Sequence, residues 1–259
     1  MTGNHGVNWL IGGGGASDND SLFGMGGNDL LEIFGGNHRL DGGDGIDTVS
    51  FAGLELMPGA VSVSLELQGA AQDTGQGLMT LTSVENLSGT RFNNILRGDS
   101  GANLLAGDAG ADTLWGGDGD DILYGDGAVA SIATPTFTAS GIGTFTDRAA
   151  GNDVLNGGRG AGLLIGGGGD DILTGELGRD IFAFGAGSGH DRITDFGNAL
   201  DKIRFESGSG VDDFSDLTVM RMGKDVLISW AGGSAASCSK RPTYTRSMAP
   251  TSSSAMTPP

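Results

Sequence analysis

Gly116-Gly117-Asp118-Gly119-Asp120-Asp121-Ile122-Leu123-Tyr124 is the stretch that decides the fold, because it recurs in register. Gly42-Gly43-Asp44-Gly45-Ile46-Asp47-Thr48-Val49-Ser50 and Gly166-Gly167-Gly168-Gly169-Asp170-Asp171-Ile172-Leu173-Thr174 fit the same pattern, G-G-x-G-x-D-x-U-x, where U is a large apolar residue. A period of nine is too short for a helical repeat and too regular for a loop. It reads as a solenoid in which each repeat is one tight turn followed by one short strand.

Numbering the positions one to nine places the acid at six and the apolar residue at eight. A first block starts at Gly15 and puts Asp20, Asp29, His38 and Asp47 at position six, over Leu22, Leu31, Leu40 and Val49. A second block starts at Gly89 and puts Asn94, Asn103, Asp112 and Asp121 there, over Leu96, Leu105, Leu114 and Leu123. The repeat at Gly125 is interrupted by residues 128–150 and resumes in register at Gly151-Asn152-Asp153. An insertion at a loop tip is tolerated best. Gly162, Asp171 and Asp180 then occupy position six.

Two nonapeptides make a coil, so residues 18 apart stack about 4.8 Å from each other as neighbouring strands. Asp29 stacks on Asp47, and Asp20 on His38. Asn94, Asp112, Asp153 and Asp171 form one column; Asn103, Asp121, Gly162 and Asp180 form another. Two stacked carboxylates repel by about 3 kcal/mol at an effective dielectric of ~20. A divalent cation between them reverses the sign. Ca²⁺ suits the site because it takes ~6–8 hard oxygen ligands in flexible geometry, and turn carbonyls can complete the shell. Zinc would want His or Cys, which are scarce here.

The expected ligand set is therefore a column of acids and the glycines of their turns. It comprises Gly24, Gly27 and Asp29; Gly42, Gly45 and Asp47; Gly107, Gly110 and Asp112; Gly116, Gly119 and Asp121; Gly151 and Asp153; Gly166, Gly169 and Asp171; and Gly178 and Asp180. Asn94 and Asn103 should give weaker half-sites, since an amide oxygen lacks the charge, and Gly162 should leave a gap. The strongest sites should lie between Asp29 and Asp47, Asp112 and Asp153, and Asp153 and Asp171. With one apolar residue per nonapeptide the core is thin, so folding should be linked to metal binding.

Composition agrees. The 259 residues include 51 Gly and carry a net charge of −18. Such a chain repels phosphates and is no candidate for nucleic-acid binding. Cys238 is the lone cysteine, so no internal disulfide forms. No run of 18 apolar residues predicts a membrane span, and Met1–Gly15 does not read as a secretory signal.

These repeats resemble the haemolysin-type calcium-binding repeats of RTX proteins over about residues 12–50 and 89–184. Residues 51–88, from Phe51-Ala52-Gly53 to Val84-Glu85-Asn86-Leu87, resemble the strand-rich spacer between such blocks. Gly189-His190-Asp191-Arg192-Ile193-Thr194-Asp195-Phe196 and Asp201-Lys202-Ile203-Arg204-Phe205 resemble the capping strands that follow. The resemblance implies a secreted bacterial protein, exported through a type I secretion apparatus by an uncleaved C-terminal signal and folding in extracellular calcium. The tail departs from that pattern. Residues 234–259 hold no Asp, Glu or Gly, carry Lys240, Arg241 and Arg246, and contain four of the six prolines. They read as a disordered or aberrant tail.

Other signals weigh less. Gly98-Asp99-Ser100-Gly101 resembles the nucleophile motif of trypsin-like proteases, but it is also positions one to four of an in-phase nonapeptide. His38 reads as a worn repeat or a softer-metal ligand. Asp191, Asp195 and Asp201 read as one more calcium site or as solvated strand-edge acids. Val61, Val63, Leu65 and Leu67 read as a half-buried strand. Trp115, at position nine, should face outward. The histidines make no H-E-x-x-H, and no G-x-S-x-G or P-loop is present.

The expected fold is all-β: a right-handed parallel β-roll. The expected units are a first repeat block (1–50), a spacer (51–88), a second block (89–184) with its insertion, capping strands (185–233) and the tail (234–259). Calcium binding that drives extracellular folding is the expected function, with no catalysis in this chain. The chain would be the secretion and folding module of a type I-secreted exoprotein, or a stand-alone surface protein contacting cells or polysaccharide.

Overall fold

The computed structural model describes residues 1–13, 18–52, 59–127, 150–197, 200–223, 225–230, 235–238 and 254–256. Within these the chain is a solenoid of short parallel strands. Each x-U-x triplet forms a strand and stacks on the triplet one coil away. Leu96 pairs with Leu114 and Leu105 with Leu123. Leu114 then pairs with Leu155 and Leu123 with Leu164, so the insertion leaves the register intact. The insertion itself, apart from Ala150, lies outside the described residues.

One wall is continuous. It runs from Trp9–Ile11 through Leu30–Glu32, Thr48–Ser50, Asn86–Ser88, Leu104–Asp108, Ile122–Asp126, Leu163–Ile165, Ile181–Phe184 and Lys202–Phe205 to Ser254–Met256. The opposite side is divided. A first short wall holds Ser21–Gly26, His38–Asp44, Leu78–Thr82 and Ala71–Asp73. A second begins at Ser62–Ser64 and continues through Ile95–Arg97, Thr113–Asp118, Val154–Gly160, Ile172–Thr174 and His190–Ile193. The position-eight residues of all three sheets belong to one core cluster.

The spacer is an enlarged coil. It closes the first short wall, where Leu81 pairs with Leu40. It opens the second, where Val63 pairs with Leu96. It also supplies Leu87 to the long wall, between Val49 and Leu105. The strand expected to reach Leu67 stops at Ser64, because Leu65–Leu67 is a 3-10 turn. Leu65 is buried and Leu67 is turned outward. Gln68 fastens this turn, donating to the Val84 carbonyl at 2.8 Å and accepting the Val84 N–H at 3.0 Å.

Several expectations change on inspection of the ends. The roll includes Trp9–Ile11, paired with Leu30–Glu32 ahead of the first full nonapeptide. The segments expected to cap it antiparallel, His190–Ile193 and Lys202–Phe205, are parallel and add a further coil. The antiparallel cap is the later hairpin of Leu217–Met222 and Asp225–Trp230. Leucine gives way to aromatics here: Phe205 meets Trp230 edge-on at 4.9 Å, and Phe182 lies 6.1 Å from Phe196. Two pieces of residues 234–259 are also strands. Ala235–Cys238 pairs with His190–Ile193 and Asp225–Trp230, and Ser254–Met256 pairs with Lys202–Phe205.

The core is thicker than one residue per nonapeptide on the long wall. Leu30, Leu104, Leu163 and Ala183 flank position-eight residues, yet all are buried. The second short wall keeps the simpler pattern, with Ile95, Val154 and Ile172 exposed. Leu123 is fully buried between Leu105 and Leu164. Leu123→Ala should lower the stability of the folded roll by about 2–5 kcal/mol. Val154→Ala, on the exposed face, should cost well under half of that, as read from denaturant unfolding at saturating metal.

Candidate metal centre

Each position-six side chain is held by the coil before it. In the column that leads into the second short wall, Asp112 Oδ1 accepts the Asn94 N–H at 2.6 Å and Asp153 Oδ1 accepts the Asp112 N–H at 2.7 Å. Asp171 Oδ1 then accepts the Asp153 N–H at 2.8 Å. In the column along the long wall, Asp29 accepts from Asn8 and Asp47 from Asp29, each at 2.7 Å. Asp121 accepts from Asn103 and Asp180 from Gly162, each at 2.9 Å. The three best expected pairs are therefore in direct register.

The other carboxylate oxygen has no such partner. Oδ2 of Asp29, Asp47, Asp112, Asp121, Asp153, Asp171 and Asp180 is buried without a hydrogen bond. A buried acceptor left unmet costs about 1–3 kcal/mol, and more when charged. These oxygens point at the position-one glycine of their own turn. A Cβ at Gly24 would collide with Asp29 Oδ2 and the Gly42 carbonyl oxygen; at Gly107, with Asp112 Oδ2 and the Gly125 carbonyl. The same holds at Gly116 for Asp121 and at Gly166 for Asp171. Position four is tight for another reason. Gly45, Gly119, Gly169 and Gly178 sit over the carbonyls of Gly27, Gly101, Gly151 and Gly160, Gly151 over that of Gly110, and Gly27 over that of Gly6. Gly110 lies over the Phe92–Asn93 backbone.

An unpartnered carboxylate oxygen and converging carbonyls form an all-oxygen donor set. No group of three or more His, Cys, Asp or Glu side chains gathers among the described residues. Main-chain oxygens must then supply much of any shell, which fits Ca²⁺ and argues against zinc.

The two asparagines behave differently from the half-ligands expected. Asn94 Nδ2 donates to the Gly107 carbonyl and to Asp112 Oδ1, both at 2.9 Å, while its Oδ1 accepts from Thr90 and Val61. Its amide thus puts an N–H where a cation would lie. Asn103 is likewise tied to the backbone, through Asp99 N–H and the Glu85 carbonyl, each at 2.8 Å. Gly162 passes the column on with a backbone N–H alone.

His38 is buried at position six with both ring nitrogens engaged. Nδ1 accepts the Asp20 N–H at 3.1 Å and Nε2 lies 2.7 Å from the Gly35 carbonyl. With both nitrogens engaged, the ring offers no open ligand to a metal. Asp191, Asp195 and Asp201 do not converge on one site. Asp191 extends one column by accepting from Asp171 at 3.0 Å, and Asp201 the other by accepting from Asp180 at 3.1 Å. Asp195 receives the N–H groups of Gly175 and Glu176.

Sequence reading missed two members. Glu85 takes a position-six place, its Oε2 accepting the Asp47 N–H at 2.8 Å, and Asn8 heads the long-wall column. Glu85-Asn86-Leu87-Ser88 and Asn8-Trp9-Leu10-Ile11 both keep the polar-x-apolar-x half of the repeat, which was the available signal. A second ladder was missed as well. The side chain at position five accepts the N–H of position five in the next coil: Asn28 from Ile46, Asn93 from Ala111, Asp120 from Ala161, Asn152 from Asp170 and Asp170 from His190.

An open cleft of about 800 Å³ runs along the turns, lined by residues including Asp99, Ser100, Asp118, Asn156, Arg159 and Glu176. Among the described residues that line it there is no histidine. Trp115 lies on the outer face of its strand under the Arg97 guanidinium, 3.8 Å from the ring centroid. No helix among the described residues is long and apolar enough to cross a membrane.

Two carboxylate columns, with the seven acids from Asp29 to Asp180 bonded through one oxygen and open through the other, define a metal-stapled β-roll. The family of the RTX calcium-binding nonapeptide repeat (4 copies) matches residues 14–49, 83–114, 97–128, 149–182 and 157–193. Those windows contain every column acid up to Asp191. Over these residues the chain belongs to the RTX calcium-binding repeat family, and the ion is Ca²⁺. The crystal structure of extracellular lipase LipA from Serratia marcescens aligns with 91% of this chain and 36% of its own, at 20% identity and a TM-score of 0.27. The chain thus spans little more than a third of that lipase's length. Comparison with curated proteins gives no match.

Burial pushes the column acids well above the usual carboxylate range: Asp112 and Asp153 up to about 8, and Asp47, Asp121 and Asp180 up to about 7. Neighbouring carboxylates push the same way, and backbone N–H donors oppose both. The metal-free roll therefore binds protons that the unfolded chain, with Asp at 3.8, does not. Its stability is fully present below that value and is lost as pH rises through about 7–8. The calcium-free chain should gain β signal on acidification from pH 8 towards pH 4. Calcium added to the acid-folded chain near pH 5 should release protons, read by calorimetry in buffers of different ionisation enthalpy. Binding with no proton release would show the acids already ionised.

Proposed function

We propose that calcium drives the folding of this chain outside the cell, and that the chain serves as the secretion and folding module of a type I-secreted exoprotein. The observation that carries this reading is the row of buried, unpartnered Oδ2 atoms in two columns. In calcium-poor surroundings the row opposes compaction through desolvation and mutual repulsion. In calcium-rich surroundings each cation neutralises a pair and joins two coils, so binding free energy becomes folding free energy. Such a chain passes a narrow exporter unfolded and folds on the far side.

The net charge of −18 supports the same reading, since self-repulsion keeps the metal-free chain expanded. We assign no catalytic step to this chain. Any activity of a whole exoprotein would belong to residues outside it.

Far-ultraviolet circular dichroism during a calcium titration tests the proposal, with magnesium as the control. The β signal should rise cooperatively with calcium and stay flat with magnesium, which demands a stricter octahedron. Asp153 sits between Asp112 and Asp171, so Asp153→Ala removes a ligand from two sites. It should raise the calcium midpoint roughly two- to five-fold. An equal response to magnesium, or an unshifted midpoint, would defeat the reading. Binding of cells or polysaccharide by the folded chain would instead favour a stand-alone surface protein.

A further inference from the structure

Position five lies beside every column acid, and the calcium-binding repeat assigns it no role. Here it is chemically selective. Where it is Asn or Asp, as at Asn28, Asn93, Asp120 and Asn152, its side-chain oxygen reaches one coil forward and accepts a backbone N–H at 2.7–3.1 Å. The position-six bond runs the opposite way, from a backbone N–H of the earlier coil to Oδ1 of the later one. Between the coils of Asn152-Asp153 and Asp170-Asp171 the two bonds therefore cross, at 2.9 and 2.8 Å. Two opposed bonds from adjacent residues fix both the spacing and the relative slide of the coils. One bond fixes the spacing and leaves a hinge.

We infer that an Asn or Asp at position five is a positioning residue of the calcium site beside it, setting the separation of the two carboxylates that flank the ion. This deepens the calcium-dependent folding reading and rests on it. The sites then fall into two classes that share the same acids. Asp29–Asp47 and Asp153–Asp171 carry the crossed pair of bonds. Among the described residues, Asp112–Asp153 carries the position-six bond without the crossing one, because Ala111 offers no acceptor. A preorganised site loses less freedom when the ion enters and holds it longer. The family consensus, which leaves position five open, does not separate these classes.

The test is calcium release from the calcium-saturated chain into excess fluorescent chelator, resolved by stopped flow. Asn152→Ala should make one fraction of the ions leave about two- to ten-fold faster, the range expected for one net hydrogen bond. Asn152→Asp keeps the acceptor oxygen and should release at the wild-type rate. Ala111 is exposed, so Ala111→Asn can build the missing bond towards the Asn152 N–H and should slow one fraction. Ala111→Leu, of similar size without an acceptor, should not. Should Asn152→Ala match the wild type or speed all ions alike, position five is at most a general scaffold and the inference fails. It fails equally if Ala111→Asn and Ala111→Leu behave the same. A wild-type chain that holds no calcium overturns the calcium reading itself, an outcome visible before any variant is made.

Discussion

The seven column aspartates from Asp29 to Asp180 divide their two oxygens between different tasks, and the rest of the roll follows from that division. Oδ1 takes the N–H of the previous position six, which locks one coil onto the next. Oδ2 is carried into the interior with nothing to meet it. A serine or asparagine could do the first task. Only a carboxylate does the first and leaves a negative, directed oxygen for a cation. Asn94 illustrates the difference: it keeps the column in register, but its amide nitrogen occupies the direction from which an ion would be bound.

The glycines follow from the same constraint. Position one must lack a Cβ because the open oxygen and the next coil's carbonyl meet there. At position two Gly43 and Gly117 take the left-handed region, at φ 101° and φ 106°. Phe34, Thr90, Asp99 and Asp126 avoid it at that position, whereas Met25 and Asp108 at φ 83° and Glu176 at φ 67° enter it. Each of these last three carries the roughly 1–2 kcal/mol that an L side chain costs there. Glycine is the residue that meets the left-handed form of the turn without strain.

The part of the fold with a fixed chemical period was legible in the sequence. The 18-residue stacking, the site of the insertion and the pairing of Asp112 with Asp153 need only counting and the alternation of a strand. What escaped was the part in which the period breaks. The spacer gives two strands to the first short wall and one to each of the other sheets, although its length fits no multiple of nine. The coils beyond Asp171 lengthen, so Asp191 bonds to Asp171 across 20 residues and Asp201 to Asp180 across 21. Counting by nine cannot place these acids, whereas the polar-x-apolar-x triplet can: Asp191-Arg192-Ile193 and Asp201-Lys202-Ile203 retain it. The buried flanks of the long wall were hidden for another reason, since residues such as Ser50, Ser88 and Ala106 are small and carry no apolar signature.

The change of core at the C-terminal end shows what calcium replaces. Through the regular coils the second short wall contributes a single file of leucines, with Leu96, Leu114, Leu155 and Leu173 in direct register. A file one residue wide buries little apolar area per ordered residue. Where the nonapeptides cease, coils widen and Phe182, Phe184, Phe196, Phe205 and Trp230 fill the space. The same end gains an antiparallel hairpin that needs no metal to close it. Among the column acids, the open Oδ2 atoms run from Asp29 to Asp180, where the aromatic coils begin. Calcium dependence is therefore a local consequence of core width. Coils too narrow to be held by apolar burial are held by ions, and the coil wide enough for aromatics is held by packing.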